Sequence, residues 1–477
     1  MKHSIALFFL TLLSACAIGP DYRRPDVDAP DAFRGDAEAD AESLADLAWW
    51  QVYQDARLQN LLRIALEQNR DLQIAAARIN EARAIVGINR YAQFPQISAG
   101  ANVARSRTSA ATGIPVFVGR DRTNYAASID ATYEADLWGR LSSLTEAARA
   151  DLLATGFARE TIRISLIADV ATAYFDLLSL DQQYDITQRT VATRQKFTEL
   201  TRARFERGVA SGLDVSRAEA NLAAAQATLP ELKRQIVQTE NLLSVLLAQN
   251  PDFVVRERID LQSLPPPPAV PPGLPSSLLE RRPDLVAAEY NMVAANARLK
   301  SAKAALFPTI ALTGSFGGQS LAFSDLFTGP ARAWSFGLGL LQPILDANRN
   351  RYQVEAASAR DEQVVQQYRQ TVEQAFREVA DALAARRNFA DFVAAQEAQV
   401  NALRTARQRA QRRYEVGFSS YFEVIDADQD LFTAELQLVQ GYRNTLVSLV
   451  QLYRALGGGW DAVLQQDSAR GGSAQQE

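Results

Sequence analysis

Beyond residue 16 the sequence has no cysteine, and beyond residue 3 it has no histidine. These two absences exclude Ser-His-Asp and Cys-His catalysis, Cys/His zinc sites, haem ligation through histidine and any disulfide framework. No catalytic residue and no metal ligand is assigned, and the chain is not read as an enzyme. After the N-terminus no apolar run reaches the ~18 residues of a membrane-spanning helix. Any passage through a bilayer must therefore use strands. Positive charge is not in excess either: the formal net charge is −5 over 477 residues. Such a chain has no general means of displacing phosphate counterions, so no nucleic-acid partner is expected.

What is present begins with an address. Residues 1–15 read as a secretory signal, with Lys2 and His3 as the polar start and Ile5 to Leu13 as a short apolar core. The segment ends Leu13-Ser14-Ala15-Cys16, in the manner of a bacterial lipoprotein box with the lipid on Cys16. The chain's single cysteine falls at that position. Ala17 rather than Asp follows it, which favours sorting to the outer membrane. The covalent lipid on Cys16 is the only prosthetic group expected, and more than one acyl chain is needed for stable anchoring.

The rest of the chain is a tandem repeat at an offset of roughly 210 residues, the kind of self-similarity to look for first. Asp71-Leu72 and Phe94-Pro95-Gln96-Ile97 match Asp284-Leu285 and Phe307-Pro308-Thr309-Ile310. Arg204-Phe205-Glu206-Arg207-Gly208 matches Arg413-Tyr414-Glu415-Val416-Gly417. Ser211, Val215, Ala218 and Leu222 then match Ser420, Val424, Ala427 and Leu431. The expected organisation is a lipidated segment with equatorial helices at 16–70, a first repeat at 71–250, a proline-rich linker at 251–283 whose run from Leu264 through Pro275 is extended, a second repeat at 284–456 and an unstructured Gly/Ser/Gln tail at 457–477. The pair Trp49-Trp50 is read as a core anchor.

Each repeat reads as a helix of about twenty residues, two strands, a very long helix, a glycine-containing turn and a second long helix. On the strands, Ile97, Ala99, Ala101, Val103 and Tyr125, Ala127, Ile129, Ala131, Tyr133 alternate with polar neighbours. Ile310, Leu312, Gly314, Phe316 and Trp334, Phe336, Leu338, Leu340 repeat the pattern. Alternation of this kind suits a transmembrane barrel strand, and equally a half-buried soluble sheet. The helices separate the two. From Gly139 to Arg207 there is no proline, and Leu166, Val170, Ala173, Leu177, Leu180, Tyr184, Thr187 and Val191 step by four and three. Ala375, Val379 and Ala382 recur at the matching offset. This is a coiled-coil seam on a rod of about 100 Å, longer than a globular domain can use.

Two strands per repeat make four per chain, and four cannot close a barrel in lipid. Two copies would give a barrel filled by its own side chains, whereas three give twelve strands and an open lumen. A homotrimer is the smallest channel.

The lipoprotein box, the duplicated plan, Asp136-Leu137-Trp138-Gly139-Arg140, the Arg-Phe/Tyr-x-x-Gly turns and Ile425-Asp426-Ala427-Asp428-Gln429 together resemble the TolC/OprM family of outer-membrane efflux factors, over essentially the whole mature chain. The resemblance implies a mainly α protein with a transmembrane β-barrel: a trimeric twelve-stranded barrel continued by a long coiled-coil periplasmic tunnel. It implies a lipid-anchored outer-membrane duct for small molecules such as drugs, completed by a periplasmic adaptor and an inner-membrane transporter of the resistance-nodulation-division type. Gly208 and Gly417 read locally as ordinary helix caps. By resemblance they become adaptor-docking tips, together with Val209, Ser211, Gly212, Phe418, Ser419 and Ser420. Phe422 and Asp426 stand four apart on one helix face, and the resemblance places them at the constricted periplasmic gate, with Arg412, Arg413 and Tyr414 bracing neighbouring helices. On its own Asp426 is also a plain solvated carboxylate near a helix N-terminus. Gln429 stands where relatives often carry Arg, which weakens a salt-bridge network carried over from them. Asp130 and Glu134 are expected to face the barrel lumen, where charge is tolerated. The alternatives are the outer-membrane part of a type I protein secretion system and a periplasmic coiled-coil spacer without a channel.

Overall fold

The computed structural model describes residues 22–27, 30, 32–33, 46–109, 111, 120–254, 256, 259–264 and 275–458. The signal segment, Cys16, residues 265–274 of the proline-rich crossover and the tail from 459 lie outside the described residues. In chain order the elements are α1 (Trp49–Val52), α2 (Ala56–Gln68), α3 (Arg70–Tyr91), β1 (Gln96–Arg107), β2 (Asp121–Glu134), α4 (Arg140–Glu206), α5 (Gly212–Leu246), α6 (Pro275–Arg281), α7 (Pro283–Ala304), β3 (Thr309–Ser320), β4 (Arg332–Leu341), α8 (Arg349–Glu415) and α9 (Tyr421–Ala455). Among the described residues no helix is long and apolar enough to cross a membrane.

The duplication is visible element by element. Helices α4 and α8 each have 67 residues, and α5 and α9 each have 35. Helices α3 and α7 each have 22 residues, and strands β1 and β3 each have 12. The chain divides into two compact units. One takes Arg78–Gly156 and Ala287–Arg369 with the described residues up to Asp26; the other takes Val27–Ala77, Phe157–Val286 and the chain from Gln370 onward.

The first unit holds one antiparallel sheet in the order β1-β2-β3-β4. The β2–β3 pairing joins the hairpins of the two repeats. Register keeps the apolar residues in phase: Val103 lies opposite Tyr125, Ile129 opposite Phe316, and Phe316 opposite Trp334. One face is therefore an apolar band, running Ile97–Val103, Tyr125–Tyr133, Ile310–Phe316 and Trp334–Leu340 on the four strands. The band slants. Its hairpin-side limit moves by four residues between Val103, whose row contains Ser320, and Trp334, whose row contains Phe316. Its opposite limit moves by the same amount between Ile97, whose row contains Gly314, and Leu340, paired with Ile310. Such a slant levels an apolar belt on tilted strands. Among the described residues, both outer edges, β1 and β4, have no second partner strand in the sheet.

Beneath the strands the motif Asp136–Arg140 turns the chain into α4. The Asp136 carboxylate accepts from the backbone N–H groups of Leu141 at 3.1 Å and Ser142 at 2.7 Å, capping the helix. Gly139 takes φ +73°, which a side chain would strain. The Trp138 indole donates to the carbonyl of Pro308 at 2.7 Å and stacks on Phe307 at 5.0 Å, fastening one repeat to the other. Arg140 grips Glu134 with two hydrogen bonds, at 2.7 and 3.0 Å. In the same unit Tyr22 donates to Glu289 at 3.4 Å, and Arg24 pairs with that carboxylate at 3.0 Å.

In the second unit the core follows α4. From Ile164 to Leu178 the residues Leu166, Ile167, Val170, Ala173, Tyr174, Leu177 and Leu178 are buried. Asp55 caps α2 through the N–H groups of Arg57 and Leu58 and accepts from the Tyr174 hydroxyl at 2.8 Å. Asn69 caps α3 and donates to the carbonyl of Leu246 at 3.0 Å. The linker at 251–283 is tied down on both sides of its proline run, which lies outside the described residues. Arg256 is buried and ion-paired to Asp181 and Glu240, and α6 occupies its far end. Arg282, also buried, binds Asp284, Glu378 and the carbonyl of Ala455. A guanidinium with five donors can join three elements at once. Trp49-Trp50 departs from its reading. The two rings meet edge-on at 5.4 Å, but Trp50 stays exposed, and Val52 and Tyr53 are the buried anchors.

Candidate functional site

The docking and gate residues read from the sequence gather at and beside the turns that close the two helical hairpins in the second unit. Helix α4 ends in a Schellman turn: the N–H of Gly208 donates to the carbonyl of Phe205 at 2.8 Å and that of Val209 to Arg204 at 2.9 Å. Helix α8 ends in the same way, Gly417 donating to Tyr414 at 3.1 Å and Phe418 to Arg413 at 2.9 Å. Both glycines have positive φ, +72° and +84°. The turns present Val209 and Phe418 to solvent, 75% and 79% exposed. The return helices start differently. Ser211 and Asp214 form a reciprocal capping box on α5, at 3.2 and 3.1 Å. Ser420 makes no side-chain cap on α9, and the Ser419 hydroxyl is buried without a hydrogen-bond partner.

Behind the turns the two hairpins share a small core: Ala218, Ala410, Tyr414, Tyr421 and Val424, flanked by Phe197, Ile425 and Ala427. Tyr414 and Tyr421 stack obliquely at 5.3 Å. The Arg204 guanidinium lies 4.3 Å from the Tyr414 ring centroid and donates to the carbonyls of Tyr414 and Glu415 at 3.3 and 3.4 Å. The first repeat thus caps the C-terminal carbonyls of the second repeat's long helix. Burial, with help from the Asp428 carboxylate and Tyr414, pushes the Tyr421 hydroxyl up to about 12.

One turn further along lies a charge cluster. Arg194 of α4 is buried, its side chain 5% exposed. Its Nε donates to Asp428 Oδ2 at 2.8 Å, its Nη1 to the carbonyl of Asn221 at 2.8 Å, and its carbon centre sits 5.1 Å from the Phe432 ring. Arg407 of α8 brings its Nε to 3.0 Å from Asp428 Oδ1, at ion-pair distance though without hydrogen-bond alignment. Asp428 thereby joins α4, α8 and α9. The cluster opens on a cleft of about 570 Å³ that Arg404, Glu435, Gln182 and Asp260 also line.

The gate residues read from the sequence are arranged unevenly around this cluster. Asp426 is exposed, on the other side of α9 from Asp428. Phe422, 53% exposed, lies beneath the Arg217 guanidinium at 5.2 Å. Arg413 reaches Glu423 at 3.6 Å, Tyr414 is buried, and Arg412 is exposed. Gln429 contributes only its backbone carbonyl, to the Thr433 hydroxyl at 3.0 Å. On the sheet, Asp130 accepts from the Ser128 hydroxyl at 2.8 Å on the polar face, and Glu134 on that face is engaged by Arg140.

Sequence reasoning missed Asp428, Arg194, Arg407 and Arg204. A signal for two of them existed. Asp428 is in phase with the buried Val424 and Leu431, four before and three after it, whereas Asp426 is out of phase. Arg194 is in phase with the buried Thr187, Thr198 and Thr201. A charge on the apolar stripe of a helix needs a partner.

The comparisons with known proteins match both repeats. A family model described as outer membrane efflux protein matches residues 61–249 and 274–458. The chain is 36% identical over 459 residues to the probable efflux pump outer membrane protein TtgC of Pseudomonas putida, covering 94% of each chain. It is 36% identical over 462 residues to outer membrane protein OprJ of Pseudomonas aeruginosa, covering 96% of this chain and 95% of OprJ. Among solved structures, the outer-membrane channel OprN superimposes with a TM-score of 0.85 at 30% identity, over 93% of this chain and 100% of that one. The open state of the Neisseria gonorrhoeae MtrE outer membrane channel gives 0.82 at 31%, over 93% and 98%.

Proposed function

The chain belongs to the outer membrane efflux protein family, and from that premise we propose that it is the exit duct of a tripartite efflux pump, closed by three copies and anchored by lipid on Cys16. It is an outer-membrane channel protein. The observation that carries the trimeric reading is the sheet. Four strands with two unpaired edges and a slanted apolar face cannot rest in lipid as a single copy, because every open backbone group there costs several kcal/mol. Pairing β4 of one copy with β1 of the next satisfies both edges. Relatives named for toluene, solvent and antibiotic efflux support small toxic organic compounds as cargo. Glycine turns that expose Val209 and Phe418 supply an apolar docking surface for a periplasmic adaptor, and an inner-membrane transporter provides the energy.

In this reading the duct performs no chemistry; it opens and closes. The Arg194–Asp428–Arg407 cluster is the bolt, holding α8 and α9 against α4, and Arg204 is the second fastening. Asp426 and Phe422, exposed on the opposite side of α9, line the constriction, where three carboxylates favour cations. The test is electrical. Purified trimers in planar bilayers should conduct little and prefer cations. Asp428→Ala should raise conductance, and Asp426→Ala should reduce cation preference without breaking the bolt. A protein that stays monomeric in detergent and leaves bilayers silent overturns the reading.

A further inference from the structure

On two strands the apolar face of the sheet gives way to arginine at the same boundary. Along β1 the series Ile97, Ala99, Ala101, Val103 continues on that face as Arg105 and Arg107. Along β4 the series Leu340, Leu338, Phe336, Trp334 continues as Arg332. Because the band slants, positions in one hydrogen-bonded row are not at one depth. Measured from the edge of the band, however, Arg105 and Arg332 are each the first residue beyond it. The matching positions on β2 and β3 are Thr123 and Gly318, which lie opposite Arg105 and Arg332 respectively. Neither arginine faces a carboxylate across its ladder. Only Arg107 does, at 3.6 Å from Asp121 with both side chains exposed, too far apart and too wet to be neutralised firmly.

Aromatic rings surround these charges. Tyr125 and Trp334 mark the edge of the band, and Phe323, from the loop joining β3 to β4, packs against Tyr125 at 5.7 Å. Phe323 is 65% exposed and Phe327 is 80% exposed. This boundary lies at the hairpin ends of the strands; the opposite ends lead into the helices. In an outer-membrane channel whose helices enter the periplasm, the hairpin ends reach the outer leaflet. Arginines just beyond an aromatic girdle then stand at headgroup depth, where a planar guanidinium can bind phosphate oxygens through two parallel hydrogen bonds. In the closed trimer, which this inference takes from the function proposed above, β4 of one copy lies beside β1 of the next. Arg332 of one subunit then joins Arg105 and Arg107 of its neighbour, three times around the barrel.

We propose that each subunit junction carries a binding site for a phosphorylated glycolipid of the outer leaflet, with Arg105, Arg107 and Arg332 holding headgroup phosphate and Phe323 and Phe327 covering the adjoining sugar or acyl surface. Basic clusters at headgroup depth recognise anionic lipids in this way. The site would couple the integrity of the barrel to the lipid around it, since each lipid would span two subunits.

The test uses full-length trimers in detergent, titrated with diphosphorylated lipid A and, separately, with its fully dephosphorylated form, bound lipid being counted by native mass spectrometry. Wild-type trimers should retain the phosphorylated form, and Arg105→Gln/Arg332→Gln trimers should bind it about tenfold more weakly, as expected for losing a charge-assisted hydrogen bond. The dephosphorylated lipid should bind wild type no better than the double variant binds the phosphorylated one. Arg122→Gln, on the opposite face of β2, should bind as wild type does. Equal retention by the double variant, or equal binding of the two lipid forms, overturns the inference. Trimer mass and single-channel conductance are recorded on the same samples. A conducting trimer with unchanged lipid binding refutes this site alone, whereas a wild-type chain that forms no trimer refutes the duct and the site with it.

Discussion

The two long hairpins have equal helices and the same glycine turn, and they are held by different means. In the first the long helix carries the burial. Helix α4 buries Leu166, Ile167, Val170, Tyr174, Leu177 and Leu178 within fifteen residues or so, and its partner α5 begins with a closed capping box. At the matching offset in α8 the buried residues are Ala375, Val379 and Ala382, and α9 begins without a side-chain cap. The second hairpin places its apolar burial on the return helix instead, where Val424, Leu431, Leu449, Val450, Leu452 and Tyr453 are buried, and near its turn it is also tied to the first by a few polar contacts: Asp428 to Arg194, and Arg204 to the end of α8. Apolar burial is spread over many atoms and gives way gradually. A buried ion pair is concentrated in one place and is lost all at once when one partner is removed. The turn end of the second hairpin, which carries Asp426, is therefore held by contacts that a single substitution can remove.

The strongest way to break this contrast is Asp428→Ala. It leaves Arg194 buried without its carboxylate and should cost about 3 kcal/mol, read as faster hydrogen exchange confined to α8 and α9 and as increased conductance. If exchange rises equally in α4 and α5, the two hairpins are not held independently. Alkaline titration should come next. The Tyr421 hydroxyl titrates higher in the folded protein than the ordinary value near 10, at about 12. Its contribution is complete below pH 10 and is lost as pH rises through about 12, worth ~2 kcal/mol. Tyr421→Phe should remove that part of the alkaline transition in a denaturation series. Arg204→Met should weaken the second hairpin by about 1–2 kcal/mol, through the lost ring contact and two carbonyl partners, and partial opening should show as flickering single-channel records. The smallest effect separates the turns most cleanly. Ser211→Ala should cost ~1 kcal/mol, whereas Ser420→Ala, which removes no cap, should leave urea midpoints unchanged. Equal losses at the two serines would erase the distinction.

Much of this architecture was legible before any coordinates. The matches between Phe94-Pro95 and Phe307-Pro308, and between Gly208 and Gly417, place every long element, and α3 and α7 begin within two residues of where the patterns start them. The candidate site was legible only in part. The glycine turns were found because a positive φ has a residue signature. Asp426 was singled out by its motif, while Asp428, two positions on, was passed over although it is the carboxylate that is paired. The crossover segment was judged by its prolines, and the buried Arg256 within it was not anticipated.

The amino-acid sequence alone determined the duplication, the order and length of the elements and which strand faces are apolar, because these follow from local backbone periodicity repeated within each half. Only the tertiary structure decided that β2 pairs with β3, that the apolar band slants across the sheet, and that Arg194 meets Asp428 across 234 positions of chain. Those outcomes depend on the register in which distant helices and strands pack. A one-step shift in that register would leave every local pattern unchanged and bring different side chains face to face.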